Sequence, residues 1–135
     1  MNTKEALALL ASGAETGKLA TLRSDGSPHL VPVWFIIDGG DVVFQMSEES
    51  AKARNLARDP RAALTVEVGR PYNYVTAEGR VTVSDDLDDM PFFAGKIGAR
   101  YKGADREEEF AERNGVPGVL LARLKINRFL SDAAY

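Results

Sequence analysis

The chain contains no cysteine, which excludes disulfides, thiol nucleophiles and cysteine–metal sites. It has a single histidine, so a His-rich metal site and a Ser/His/Asp triad have too few parts. No side chain is assigned as catalytic and no metal site is expected. No apolar run approaches the roughly 20 residues that cross a bilayer. The net charge of −3 argues against a general nucleic-acid binder, and no membrane partner is expected. Met1-Asn-Thr-Lys-Glu5 lacks a basic region followed by an apolar core, so a secretory signal is not expected and a cytoplasmic location is.

What remains describes a globular chain. Its 135 residues are the size of one domain, residues 1–135, and suffice for a core. Hydrophobic residues make up 44% and charged residues 27%, an ordinary balance for a folded protein. Asn2 with Glu5 three residues on reads as a capping box for a short helix with Leu7 and Leu10 inward. Lys18 to Arg23 reads as a strand, Ser24 to Pro28 as a turn, and His29 to Ile37 as a long apolar strand. Asp38-Gly-Gly-Asp41 is a hairpin signal, and Val42 to Met46 the returning strand.

Further strands are expected over Ala62 to Val68, Tyr72 to Val83 with a bulge at Gly79, and Val119 to Leu130. Gly69 to Pro71 should turn the chain between the first two. Asp85 to Lys102 switches to helical spacing; Pro91, Gly95 and Gly98 predict a break into two pieces. Glu107 to Arg113 reads as a short helix ended at Asn114-Gly115. The result is a mainly β fold, a small six-stranded antiparallel β-barrel with short flanking helices.

The stretch from Phe44 to Pro60 is the richest chemically. A strand enters a polar turn that opens a helix with Ala53, Leu56 and Ala57 inward and a stop at Asp59-Pro60. Ser47, Ser50 and Lys52 surround the start of that helix, where free N–H groups and a partial positive charge suit a phosphate. The two serines serve capping equally well, since capping and anion binding share one geometry.

Taken in order, these segments resemble the flavin-binding split-barrel superfamily typified by pyridoxamine 5′-phosphate oxidase. The resemblance is carried by Ala20 to Phe35, by Ser50 to Leu64 and by Tyr74-Val-Thr-Ala-Glu-Gly-Arg80, and covers about residues 5 to 130. In the oxidases that use FMN, the second strand carries an arginine and a lysine for the cofactor phosphate. Here Leu30 to Ile37 has no basic residue, while Lys52 is kept. The pattern looks like the branch that uses the deazaflavin coenzyme F-420, where a Lys-x-x-Asn on this helix lies near the cofactor phosphodiester. Lys52 and Asn55 match that spacing, and positions i and i+3 share a face.

The resemblance implies cofactor contacts from Lys52, Asn55, Ser47 and Ser50, and a ring lying against the backbone of Pro32 and Val33. Arg54 serves solvent, a salt bridge or the ligand. Pro32 marks an edge or splayed strand, and both it and Val33 read otherwise as core. Tyr72 and Tyr74 either line a flat substrate pocket or are ordinary strand aromatics. Trp34 and Phe35 read as core or subunit contacts rather than ring-stacking residues. His29 is expected to be exposed, and the acidic run Asp85 to Asp89 to cap a helix.

The implied activity is hydride transfer between coenzyme F-420 and a small, flat conjugated or quinone-like substrate, in the direction of reduction. FMN in a reductase or oxidase is the alternative cofactor, and a non-catalytic module for flavin or tetrapyrrole the alternative class. Val31, Trp34, Phe35 and Ile37 are more apolar surface than one side of a lone small barrel covers, so a homodimer is expected, and the resemblance implies cofactor sites at the subunit boundary.

Overall fold

A computed structural model describes residues 1–68 and 73–131. Its elements are α1 (Thr3–Ala11), β1 (Gly17–Leu22), β2 (Pro28–Val33), β3 (Phe35–Asp38), β4 (Asp41–Ser47) and α2 (Ala51–Arg58). There follow β5 (Arg61–Glu67), β6 (Tyr74–Ser84), α3 (Met90–Lys102), a 3₁₀ turn (Ala104–Arg106), α4 (Glu107–Asn114) and β7 (Val119–Ser131). The turn expected over Gly69 to Pro71, and Tyr72, lie outside the described residues.

One antiparallel sheet of seven strands runs in the order β2-β1-β5-β6-β7-β4-β3. The two strands at its edges, β2 and β3, are consecutive in the chain and separated by Trp34 alone. The sheet therefore curls until one continuous stretch supplies both edges, which makes a split barrel. The expected six strands become seven because the His29 to Ile37 run breaks at Trp34, its first part pairing with β1 and its second with β4. At the break, Phe35 N–H donates to Tyr101 Oη at 3.2 Å, and Phe35 C=O accepts from Arg100 Nη1 at 2.6 Å. Side chains of α3 take the place of a neighbouring strand at this edge.

Local signals explain the remaining turns and caps. Gly39 and Gly40 have φ of 58° and 83°, the paired positive values that a two-residue hairpin turn between β3 and β4 requires. Asn2 Oδ1 accepts from Glu5 N–H at 2.8 Å, so α1 is capped as its sequence implies, with Ala6 and Leu10 buried and Leu7 half-buried. Ser50 Oγ accepts from Ala53 N–H at 3.2 Å, and α2 ends at Asp59.

Two expectations about helices need correction. Residues 90–102 form one unbroken helix. Pro91 stands in the first turn, where its missing N–H costs nothing, and Gly98 is the point where α4 packs: a Cβ there would lie 2.2 Å from Phe110 Cγ. The acidic run precedes α3, but Asp89 makes no capping hydrogen bond through its side chain.

Alternate residues of most strands fill the barrel, while β4 is covered on both faces, Val43 clustering with Met90 and Leu121. Phe35, Phe44, Leu19, Leu64, Val75 and Leu124 are among the side chains with no solvent exposure. Val31, Trp34, Phe35 and Ile37, expected to need a second subunit, are buried or half-buried within the chain. Trp34 stacks on Tyr101 with ring centroids 5.1 Å apart and planes 8° apart, and meets the edge of Phe110. Among the described residues, no helix is long and apolar enough to cross a membrane.

Candidate cofactor site

β4 delivers the chain to the turn before α2, and that turn is closed by its own serines. Ser47 Oγ accepts from Glu49 N–H at 3.2 Å, and Ser50 Oγ donates to Ser47 C=O at 2.7 Å while capping the helix. Both hydroxyls are thus engaged in capping. The N–H groups of Ala51 and Lys52, the first of the helix, have no intrahelical acceptor. Glu48 and Glu49 are exposed beside them, so the attraction for an anion rests chiefly on Lys52.

Lys52 is half-buried and makes no hydrogen bond or ion pair among the described residues. Burial alone lowers its pKa from the usual lysine value. An ammonium held in this way gains from an anionic partner. Arg54 is exposed, but its guanidinium folds back to donate to Glu49 C=O at 2.6 Å, which brings it to the same helix end.

Asn55 is 6% exposed and faces the barrel. It donates from Nδ2 to Thr21 Oγ1 at 3.1 Å and accepts at Oδ1 from Arg58 Nη2, also at 3.1 Å. Arg58 Nη2 donates to Leu22 C=O at 2.8 Å as well. The face of α2 that carries Lys52 and Asn55 is thereby pinned over the end of the β1–β2 hairpin. Ala57, expected on that inner face, is exposed; Asn55 takes its place beside Ala53 and Leu56. Thr21, 1% exposed, was not signalled by the sequence: its importance lies in a pairing across 34 positions.

Pro32 and Val33 fall on opposite faces of β2, Pro32 outside and exposed, Val33 in the core. As an edge strand, β2 suits a residue without an N–H. His29 is half-buried rather than exposed. It pairs with Thr21 on the inner face, and its Nδ1 is buried with no hydrogen-bond partner among the described residues.

Tyr74 is half-buried at the start of β6, opposite Glu67 of β5. The chain does not bring it to Lys52, since α2 packs chiefly on β1 and β4. A groove of about 370 Å³ opens between β1, β5 and β6, lined by Ala20, Ala63, Gly79, Arg61 and Arg80 among others. Among the described residues no cluster of acidic residues or histidine has the arrangement of a metal site.

The fold is a split barrel, and Lys52 stands half-buried at the start of α2 with no side-chain partner among the described residues. A family model described as pyridoxamine 5′-phosphate oxidase matches residues 3–130, and the chain belongs to that family. It is 39% identical over 84 residues to a pyridoxine/pyridoxamine 5′-phosphate oxidase of Cupriavidus taiwanensis. That alignment covers 61% of this chain and 40% of the oxidase, so the chain spans well under half of that relative's length. It is 33% identical over 100 residues to a biliverdin reductase of Mycobacterium tuberculosis dependent on reduced coenzyme F-420, covering 73% of this chain and 71% of the reductase. Among solved structures, a conserved hypothetical protein of Mycobacterium tuberculosis superposes with a TM-score of 0.84 at 26% identity, covering 97% of this chain and 84% of that one. A structure named as an F-420 reductase superposes with a TM-score of 0.72 at 27% identity, covering 91% and 94%.

Proposed function

We propose that the chain is an oxidoreductase that binds coenzyme F-420 and works as a reductase on a flat, conjugated or quinone-like substrate. The observation that carries this reading is Lys52, half-buried and without a side-chain partner among the described residues, in the first turn of α2 and within the stretch that the family model matches. The residues fit a phosphate-bearing group: an ammonium without a partner among the described residues, and helical N–H groups without an intrahelical acceptor beside it. Bound F-420 would supply hydride transfer; the chain's own residues bind, orient and shield it. Lys52 would meet the phosphate, Asn55 would hold α2 in place through Thr21, and Ser47 and Ser50 would shape the turn. Arg54 reaches the same helix end. The absence of a basic residue between Leu30 and Ile37, together with the relative that uses reduced F-420, favours F-420 over FMN.

Titrating F-420 and FMN side by side tests the reading. F-420 should bind at least about tenfold tighter, a difference of about 1.4 kcal/mol. Lys52→Ala should weaken binding by roughly ten- to a hundredfold through loss of a charge-assisted bond, with the fold retained. Arg54→Ala should lose less, since its guanidinium is already engaged by a carbonyl. Equal or tighter FMN binding would promote FMN as the cofactor, and a Lys52→Ala protein that binds like the parent would remove the anchor.

The same reading includes a homodimer with cofactor sites at the boundary, a small-molecule substrate and a cytoplasmic setting. The surface best suited to a second copy is the outer face of β2, β1 and β5. Leu30 is 66% exposed there, and the pairing register lines it up with Ala20 and Ala63, with Pro32 beside it. A partner packed on this face could bring its Tyr74 towards the site, which one chain does not do. Light scattering at micromolar concentration should give a dimer, whose total buried area should exceed roughly 1,200 Å². Leu30→Glu should shift it to monomer, and a parent that scatters as a monomer would end the proposal.

A further inference from the structure

The second strand lacks the cations that hold a phosphate in FMN enzymes of this family, yet one polar side chain just ahead of that apolar run has no partner. His29 pairs with Thr21 across the β1–β2 ladder, and residues directly opposite share a face of the sheet. Thr21 faces inward and receives the Asn55 side chain of α2. Asn55 stands one helical turn from Lys52 on the same face of α2, and through Thr21 that face is joined to the strand pair that carries His29. Within this junction Arg58 is engaged by Leu22 C=O and Asn55 Oδ1, and Asp25 by Ser27. His29 Nδ1 is bonded to none of them and to no other described residue. A buried ring nitrogen without a partner is unfavourable, and such atoms in folded proteins are usually met by water, an ion or a ligand.

We propose that His29 is a second anchor for the oxyanion that Lys52 binds, donating its Nδ1–H to a phosphate oxygen of the cofactor. This rests on the reading of Lys52 as the phosphate contact. The pair would replace, from strand and helix together, the two strand cations that the chain lacks. The ligand chemistry is a phosphate oxygen, present in a phosphodiester, a phosphomonoester or free phosphate.

The chain has one histidine, so its imidazole gives a single set of resonances. Long-range ¹H–¹⁵N spectra of the parent are recorded with F-420, FMN and inorganic phosphate in turn. F-420 should move the Nδ1 resonance to that of a protonated, hydrogen-bonded nitrogen, and the change should vanish in Lys52→Ala at the same concentrations. His29→Leu should bind F-420 about tenfold more weakly, while His29→Asn, which keeps a donor near Nδ1, should stay within about threefold of the parent. An Nδ1 resonance unmoved at saturation overturns the assignment of His29, and the reading of Lys52 then stands or falls on its own titration. A response to inorganic phosphate but not to either cofactor also overturns it, since the contact would be to free phosphate. Failure of the parent to bind either cofactor overturns both.

Discussion

Gly79→Ala is expected to destabilise the protein by about 3 kcal/mol, at the upper end of ordinary overpacking effects. A β-carbon built at Gly79 lies 1.9 Å from the Lys125 carbonyl oxygen and 2.8 Å from its carbon. The obstacle is backbone, so no rotamer change relieves it. Gly79 sits where the β6–β7 register shifts, with Glu78 paired to Arg128 and Gly79 to Ile126. Asn127 is the extra residue of a bulge that re-aims β7, and an alanine would have to push the two strands apart there. By the size dependence of thermal unfolding, about 3 kcal/mol corresponds to a melting temperature lower by roughly 10–15 °C. A thermal scan by circular dichroism measures it; a variant melting within about 2 °C of the parent would mean that the ladder yields freely.

The second large effect is expected at Arg100. Its guanidinium donates to four backbone carbonyls: Leu10 at 2.8 Å, Ser12 at 3.2 Å, Gly13 at 3.1 Å and Phe35 at 2.6 Å. Its Cζ lies over the Phe35 ring, 4.5 Å from the centroid. Burial lowers its pKa, so the charge is held against desolvation by these acceptors. Arg100→Ala leaves the end of α1 and the start of β3 without their shared donor and should cost about 2–3 kcal/mol. Arg100→Lys should recover only part of this, because an ammonium lacks the planar fork that reaches several carbonyls at once. Urea midpoints at unchanged slope would measure both. If Arg100→Lys is as stable as the parent, charge rather than geometry holds the junction.

Arg100 also shows why part of the fold was not legible in the sequence. The hairpin at Gly39-Gly40 and the Gly79 bulge carry their causes within a few residues, and both are legible in the sequence, while Ser50 reads equally as a cap or an anion contact and the structure shows the cap. The break at Trp34 has no such local cause. His29 to Ile37 is one apolar run, and what interrupts it is the pair Arg100 and Tyr101, 65 and 66 positions from Phe35. The continuity of α3 was hidden for the same reason, since Gly98 weakens a helix in isolation and admits Phe110 in the fold.

At the candidate site, what the sequence makes legible is position: Ser50 and Lys52 stand at the start of α2, where helix-start chemistry and the family resemblance both place them. The inward turn of Asn55 was not expected, because an asparagine on a helix of mean polar character reads as surface until Thr21 is placed beneath it. His29 was read as exposed for a similar reason: the turn before it is polar, and only the strand register turns it inward.

The parallel stack of Trp34 on Tyr101 has an optical consequence. Trp34 is the chain's only tryptophan and occupies the single residue between the two edges of the barrel. Tyr101 beneath it is held by the backbone of Phe35, and the Lys102 ammonium stands 5.7 Å from the indole ring. Its emission therefore gauges the seam where α3 closes the split, and a spectral change on adding cofactor would report strain transmitted along β2 as well as direct quenching. Colour and lifetime together would separate the two: contact with a flavin-like ring shortens the lifetime, whereas a loosened seam exposes the indole to water and shifts its emission to the red.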